Sequence, residues 1–298
     1  MIRIFFAGLY FIMVDSLGLG GLFVGPAGIP LSAKGSGVLR GIRVVKELGL
    51  DAMEIEFVRG VWLKLEEAPS LKEVASETGV ILSVHAPYYI NLLSKEEKTV
   101  RESVKRIINS ARVGYLAGAW SLVFHPGYYG KLSSETAVSV VRTALKNIVS
   151  KLINEGVRIW VRPETMGGLA EFGSLDEVLA VVEGVEMAHV ALDFAHLYAR
   201  SRGTLNKLRD FESILDSIEA RLGREALKEM HIHVSGIEYG DRGEKKHLDF
   251  KDSRFNWVDV INALKNYGVE GIIICESPSL ENDALLIKQK IMELSPHT

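Results

Sequence analysis

In two segments of the chain, a run of mostly apolar residues, some of them β-branched, ends at a histidine. A proline follows each histidine within two residues. In ILSVHAPYYI (residues 81–90) the histidine is His85, and in LVFHPGYY (residues 122–129) it is His125. Imidazole is a frequent metal ligand and a proton acceptor near neutral pH. Two histidines in equivalent positions of two similar segments therefore indicate one shared functional site.

More ionisable residues stand at the ends of the later apolar segments. They are Glu164, Asp193, His196, His231, His233 and Glu276, and His247 follows in an irregular stretch, residues 235–255. Burying so many such groups together costs on the order of several kcal/mol each unless they are paired or bound to metal. Mixed imidazole and carboxylate ligands suit zinc, with manganese and iron as rivals. Two or three cations would balance the three carboxylates, although each group alone also has a purely structural explanation.

The segments that carry these residues alternate with stretches of helical length. Strands are predicted at residues 21–28, 51–57, 80–86, 121–127, 158–164, 189–195, 230–236 and 271–277. Helices are predicted at 36–48, 70–77, 95–117, 133–154, 174–183, 206–222, 256–267 and 281–292. This alternation predicts a single (β/α)8 TIM barrel, an α/β fold. Because barrel active sites lie at the carboxyl ends of the strands, the ionisable residues are expected to meet there.

Composition limits the compartment and the partners. The 298 residues carry a net charge of −3, so no global basic field indicates nucleic acid, although a local cationic rim can coexist with that total. Cys275 is the only cysteine, so a reducing, cytoplasmic location is expected, with no membrane association. Residues 1–20 are expected to be an apolar N-terminal extension packed on the barrel, with a targeting segment as the alternative, and residues 21–298 to be the barrel.

Six short motifs resemble, in order and spacing, the endonuclease IV family, which comprises metal-dependent apurinic/apyrimidinic (AP) endonucleases of the xylose-isomerase-like TIM barrel type. The motifs are SVHAPYYINL, VFHPG, ETMGG, LDFAH, MHIHVSG and CESP. The resemblance implies a trinuclear zinc site. His85, His125 and Glu164 would hold the first zinc. Glu164 would bridge to a second zinc, held also by Asp193, His231 and Glu276. His196 and His247 would hold the third.

The chain departs from the family pattern at three places. Lys245 stands where the family has an aspartate two residues before the last histidine, and Glu244 is the candidate substitute. The stretch HPGSH of the family reads HPGYY here, and His233 replaces a residue that is usually an amide in bacterial members. These departures leave open two interpretations, an archaeal-type member of the family or a relative with altered chemistry.

The resemblance implies hydrolysis of the DNA phosphodiester 5′ to an abasic site, in base excision repair, by a hydroxide that the metal ions activate. Glu164 or Glu276 would orient that nucleophile and take its proton. The partner would be damaged double-stranded DNA, and no obligate protein partner is expected. Candidates for DNA contact stand in loops that follow strands, and they are Tyr88, Tyr89, Arg59, Arg200 and Arg242.

Two alternatives remain open at the level of sequence. A metal-dependent sugar isomerase or epimerase could use the same barrel with one or two metal ions, and Glu54 or Glu56 at the end of the second strand could serve it. A metal-binding but inactive barrel is the other, favoured if the altered third site does not assemble.

Overall fold

Ten strands are present in the computed structural model, which describes residues 21–294. They are β1 (Leu22–Pro26), β2 (Ala52–Glu56), β3 (Ile81–His85), β4 (Ser121–Phe124), β5 (Trp160–Pro163), β6 (Ala191–Asp193), β7 (Met230–Val234), β8 (Gly236–Gly240), β9 (Gly243–Leu248) and β10 (Gly271–Cys275). All except β8 and β9 fall within the predicted strands. The predicted N-terminal extension, residues 1–20, lies outside the described residues.

The other eight strands form a closed ring. Four of them pair in parallel in the order β1-β10-β7-β6, and four in the order β2-β3-β4-β5. Isolated bridges between Ala27 and Glu54 and between Glu164 and Ala191 join the two sheets at both seams. The predicted TIM barrel is confirmed, and the carboxyl ends of all eight strands open on one face.

The helices lie outside this ring. They are α1 (Val38–Glu47), α2 (Ala68–Thr78), α3 (Glu97–Leu116), α4 (Ser134–Asn154), α5 (Leu175–Val182), α6 (Phe194–Arg200), α7 (Leu208–Leu222), α8 (Trp257–Asn266) and α9 (Glu281–Glu293). All except α6 coincide with predicted helices. Among residues 21–294, none of the helices has the length and apolarity that a membrane span requires.

Side-chain caps at two helix starts agree with the sequence pattern. The Ser133 hydroxyl accepts a hydrogen bond from the backbone N–H of Thr136 at the start of α4. At the start of α5, Ser174 and Glu177 form the complete capping box, in which each side chain accepts from the backbone of the other residue. Such caps satisfy N–H groups that lack partners within the helix, and so they define where the helix begins.

The structure corrects the sequence prediction in two segments near the site. Residues 235–255 were expected to be irregular, but β8 and β9 form an antiparallel hairpin there. The short helix α6 follows β6 without a connecting turn. Six of its seven residues are buried, so it lacks the one-sided apolar pattern by which a surface helix is recognised in a sequence.

The barrel interior leaves no space for a side chain at Gly25 in β1. A Cβ atom at this position would lie 1.6 Å from the backbone oxygen of Ala52 in the neighbouring strand. We expect Gly25→Ala to lower the free energy of unfolding by about 3 kcal/mol, because β1 and β2 must separate to admit the methyl group. Denaturant titration measures the change. Gly60→Ala is the matched control, because a Cβ there meets nothing within 4 Å. Equal stability of the two variants would contradict the close contact between Gly25 and Ala52.

Candidate metal centre

A cavity of about 350 Å³ opens at the carboxyl ends of the strands. It is lined mostly by polar and ionisable side chains, namely His85, Tyr88, His125, Met166, Glu171, His196, Glu244, Lys245, His247 and Glu276. Within residues 21–294, four overlapping sets of histidine, aspartate and glutamate bring their nitrogen or oxygen atoms within 4.8 Å of one another. Three of these sets lie at the floor and walls of this cavity, and the fourth lies deeper in the barrel.

The first set joins β3, β4 and β5. The Nε2 atoms of His85 and His125 lie 3.2 Å and 3.0 Å from the same oxygen of Glu164, Oε2. The two imidazole rings meet edge to face with centroids 4.9 Å apart. Parallel pairing of these neighbouring strands brings their ends to one level, so residues far apart in the chain converge. Donor atoms at such separations match ligands around one zinc ion, which are about 3.3 Å apart when each bond is about 2.0–2.1 Å.

The second set consists of Glu164, Asp193, His233 and Glu276. The Nδ1 atom of His233 lies 3.0 Å from Glu164 Oε1 and 3.4 Å from Glu276 Oε1. Asp193 uses Oδ1 to accept a hydrogen bond of 2.6 Å from the N–H of His196, as the N-cap of α6. Its Oδ2 remains without a hydrogen-bond partner. Asp193 therefore caps a helix and still presents one free oxygen to the site.

The third set consists of Asp193, His196, His247 and Glu276, and Glu244 of the β8–β9 hairpin lies beside it. His196 Nε2 lies 3.2 Å from His247 Nε2 and 3.2 Å from Glu244 Oε2, and Glu244 Oε1 lies 3.4 Å from His247 Nε2. The Glu244 carboxylate therefore contacts both histidines. The sequence analysis suggested Glu244 as the substitute for the family's aspartate. Its neighbour Lys245 also lines the cavity and pairs with Glu238 at 3.1 Å.

Glycines allow the hairpin to dock where Glu244 reaches the site. The backbone of Gly243 has a φ of +90°, and a Cβ there would lie 2.2 Å from the oxygen of Gly167. The N–H of Glu244 donates to that same oxygen at 3.1 Å. Because any larger residue at position 243 would push the hairpin away, the glycines of the ETMGG motif and of the hairpin turn help to place Glu244.

Backbone carbonyls orient three of the histidines. His85 Nδ1 lies 2.8 Å from the oxygen of Ala86, and His196 Nδ1 lies 2.9 Å from that of Thr165. His247 Nδ1 lies 3.2 Å from the oxygen of Glu276. A carbonyl oxygen only accepts hydrogen bonds, so each Nδ1 carries a proton, and each ring would present the lone pair of Nε2 to a bound metal ion. Metal-binding histidines are usually held in this way.

Buried negative charge indicates that this centre needs cations or protons. Burial raises the pKa of Asp193 to about 7 and that of Glu56 to about 8. Burial also opposes ionisation of Glu164, but His233 and His125 outweigh it and hold the pKa of Glu164 well below its usual value. Buried oxygens of Asp193 and Glu276 have no hydrogen-bond partner. Oxygen atoms left unpaired beside lone-pair nitrogens fit divalent metal ions.

The structure places His231 differently from the sequence expectation. The expectation assigned His231 to the second set, but His233 occupies that position. His231 lies one layer deeper, with its Nε2 3.2 Å from Glu54 Oε2. Both histidines point inward, as expected for residues two apart on a strand. The pairing of β6 with β7 decides which of them reaches the rim, because Asp193 lies opposite His233 and Ala191 lies opposite His231.

The residues predicted to contact DNA divide into two groups. Tyr88 and Tyr89 are exposed at the rim, and the Tyr88 ring stacks on His125 with centroids 5.9 Å apart. Arg59 follows β2 and Arg242 lies in the hairpin turn, and both are exposed.

Arg200 is a correction to the prediction. Its guanidinium donates to the carbonyls of Met166, Gly168 and Glu171 and to the hydroxyl of Tyr129 at 2.8–3.3 Å. These bonds hold the loop after β5 and leave the Arg200 guanidinium committed to the protein rather than to a phosphate.

Sequence reasoning gave little weight to two carboxylates of β2. Glu54 is fully buried beside His231 and His233, and Glu56 lies near His85 with Oε1 buried and without a hydrogen-bond partner. The signal was present in DAMEIEF, because two glutamates in an otherwise apolar strand are unusual in a barrel interior. Their alternation places both on the inward face.

Relatives of known sequence agree with the resemblance. A protein of Methanocaldococcus jannaschii, "Uncharacterized protein MJ0133", is 44% identical over 273 residues, which cover 92% of this chain and 98% of that protein. A "Probable endonuclease 4" of Methanosphaera stadtmanae is 28% identical over 201 residues, covering 61% of this chain and 67% of that protein. The resemblance to endonuclease IV is thereby confirmed, and the first relative is consistent with an archaeal-type member.

Solved structures share the fold. A D-tagatose 3-epimerase-like protein has a TM-score of 0.66 at 22% identity, covering 86% of this chain and 92% of its own. Endonuclease IV from Thermus thermophilus has a TM-score of 0.65 at 21% identity, covering 88% of this chain and 97% of its own. The family model for the xylose isomerase-like TIM barrel matches residues 42–294. The chain therefore belongs to the xylose isomerase-like TIM barrel family.

Proposed function

We propose that this protein is a zinc-dependent AP endonuclease that hydrolyses the DNA phosphodiester 5′ to an abasic site. The observation that carries the proposal is the arrangement of donor groups on both sides of Glu164. His85 and His125 approach it from one side, and His196 lies on the other, next to His247 and Glu244. Several cations held side by side suit phosphodiester hydrolysis, because they can clamp both the attacking and the leaving oxygen.

The proposed roles follow from position. Glu164 would be shared between two cations, because its Oε2 faces His85 and His125 while its Oε1 faces His233. When bound, divalent cations supply the Lewis acidity that activates water and offsets charge on the phosphate. Glu276 lines the cavity and keeps its Oε2 without a hydrogen-bond partner. A carboxylate so placed can orient a water molecule and accept its proton.

Access to a recessed centre requires that the damaged nucleotide leave the DNA helix. An abasic nucleotide has no base pair to lose, so its extrusion from the helix costs little free energy. This low cost favours binding of abasic DNA over intact DNA. The exposed tyrosines at the rim are placed to stack on the neighbouring bases, and Arg59 and Arg242 to meet phosphates.

The role of Tyr88 can be measured directly. We expect Tyr88→Ala to weaken binding of an abasic duplex by about 1–3 kcal/mol, the value typical of one aromatic–base stack. Fluorescence anisotropy with a labelled duplex gives the dissociation constant, and metal analysis verifies that the centre is intact. Tyr115→Ala is the control, since Tyr115 is an exposed tyrosine on helix α3 that does not line the cavity. Equal affinities for the two variants would remove Tyr88 from the DNA surface.

The decisive test of the function is nicking of a duplex oligonucleotide that carries one abasic site. We expect cleavage by the metal-loaded protein, loss of cleavage after treatment with a chelator, and recovery on addition of Zn²⁺. A duplex without the abasic site is the control. Bound zinc with no cleavage of the damaged duplex would reject the proposal.

A sugar epimerase or isomerase is the second candidate. Glu164, Asp193, His233 and Glu276 by themselves form a set for one cation, and the cavity of about 350 Å³ could enclose a small polyol. The D-tagatose 3-epimerase-like protein has the same fold, which supports this candidate. Incubation of the metal-loaded protein with ketoses, followed by chromatography of the products, separates the two candidates. Turnover of a ketose without nicking of DNA would favour the epimerase.

A further inference from the structure

The fourth set of metal-ligating residues lies inside the barrel, one layer beneath the cavity. It consists of Glu54 of β2 and His231 and His233 of β7, and all three side chains are fully buried. None of the three lines the cavity. Their closeness therefore needs an explanation apart from substrate binding.

The donor atoms in this set are nearly equidistant. His231 Nε2 lies 3.2 Å from His233 Nε2 and 3.2 Å from Glu54 Oε2, and His233 Nε2 lies 3.0 Å from Glu54 Oε1. At the contact between the two Nε2 atoms, only one of them can donate a proton and the other must accept it. Glu54 Oε1 in fact has no hydrogen-bond partner, although it is buried. Glu54 presents one oxygen to each imidazole, and the oxygen that faces His233 is unpaired, which indicates a positive charge between the three side chains.

We propose that Glu54, His231 and His233 hold a divalent cation, most suitably Zn²⁺, beneath the cavity. Two imidazoles and one carboxylate give three protein ligands, all of types that zinc takes. Separations of 3.0–3.2 Å are close to the value of about 3.3 Å expected between ligands at bond lengths of about 2.0–2.1 Å.

The surroundings orient these ligands. Ser121 Oγ lies 2.6 Å from His231 Nδ1, so the Nδ1 proton can be donated to the hydroxyl while Nε2 faces the cation. Ser83 donates to Glu54 Oε2 at 2.8 Å. Below, the Trp120 ring stacks on His231, and the Arg162 guanidinium lies 4.6 Å from the Trp120 ring centre. The site is therefore closed on the side away from the cavity.

His233 connects this site to the rim. Its Nε2 faces Glu54, and its Nδ1 faces Glu164 and Glu276 at 3.0 Å and 3.4 Å. A cation on each side would require the ring to lose both protons, and the negative charge of that ring would help to balance the two cations. The buried cation would thus fix the orientation of the His233 ring. In this way it would support the position of the Nδ1 atom that faces Glu164 and Glu276.

Crystallography of the zinc-loaded protein tests the proposal without any substitution. Anomalous diffraction measured at the zinc edge should show a peak about 2.0–2.1 Å from both His231 Nε2 and His233 Nε2. Ordered density for the three side chains with no anomalous peak between them would overturn the proposal. This readout is independent of nuclease activity, so a failure of the proposed function and a failure of this site can be told apart.

Metal counting provides the second measurement. After zinc loading and gel filtration, we expect His231→Gln to contain at least one zinc fewer per chain than the wild type. Zinc release to a chelator should lose its slowest phase, because the buried site is the least accessible to solvent. Ser83→Ala is the matched control, because it removes a hydrogen bond to Glu54 but no metal donor. Equal zinc content in folded His231→Gln and wild type would reject the site.

Discussion

Glu276→Gln should lower kcat for cleavage of an abasic duplex by roughly 10²- to 10⁴-fold, the contribution that a positioned general acid or base usually makes. The amide keeps the size of the side chain and one oxygen donor, but it cannot take a proton from water. Glu276 Oε2 has no hydrogen-bond partner in the structure, so its exchange for an amide nitrogen breaks no internal hydrogen bond of that oxygen. Single-turnover nicking assays measure the chemical step.

The control for this substitution lies on the same part of the chain. Glu270 precedes β10, at the opposite end of that strand from Glu276, and pairs with Lys228. Glu270→Gln changes the same charge but should cleave abasic DNA at nearly the wild-type rate. Thermal unfolding and metal analysis of both variants separate the loss of a proton acceptor from a loss of folding or of bound metal, because Glu276 also belongs to the second set. Near-normal cleavage by Glu276→Gln would remove this residue from the proposed chemistry.

His247→Ala should reduce the metal content of the protein by about one equivalent. The substitution removes one of the two imidazole ligands of the third set and leaves His196 with the carboxylates of Asp193 and Glu276, and with Glu244 3.2 Å away. The remaining site has a single imidazole among carboxylates, and the loss of one ligand weakens its hold on a divalent cation. Inductively coupled plasma mass spectrometry on the gel-filtered protein gives the stoichiometry.

The neighbouring residue gives the control for the third site. Lys246 is adjacent on β9, but its side chain is exposed and lies 3.6 Å from Glu238 rather than in the cavity. Lys246→Ala should therefore retain the full metal content. If His247→Ala also retained it, the hairpin would bind no metal, and the altered motif around Lys245 would have lost the third site.

Much of the fold and the general location of the site could be predicted from the sequence. Alternation of strands and helices specifies the barrel, because each parallel strand needs a crossover to bring the chain back to the same edge. Residues that end the strands must then meet on one face, which is why His85, His125, Glu164 and Glu276 lie together. Periodicity of two also predicted correctly that His231 and His233 both point inward.

The contacts of long side chains and the positions of irregular segments could not be predicted in this way. Arg200 reaches back to three carbonyls of the loop after β5, a contact that depends on where that loop lies in space. The hairpin of β8 and β9 docks through Gly167 and Gly243, and its docking brings Glu244 to His196. Sequence spacing identified Glu244 as a candidate but could not show the docking.

By itself, the sequence determined the barrel and the face on which its ionisable residues gather, because strand periodicity and crossover connections are local properties. The tertiary structure decided the depth of each residue in the barrel. His233 lies level with Asp193 while His231 lies level with Ala191, and this difference arises from the stagger between paired strands. That stagger depends on packing around the whole ring, as at the close contact of Gly25 with Ala52. No single segment contains that information.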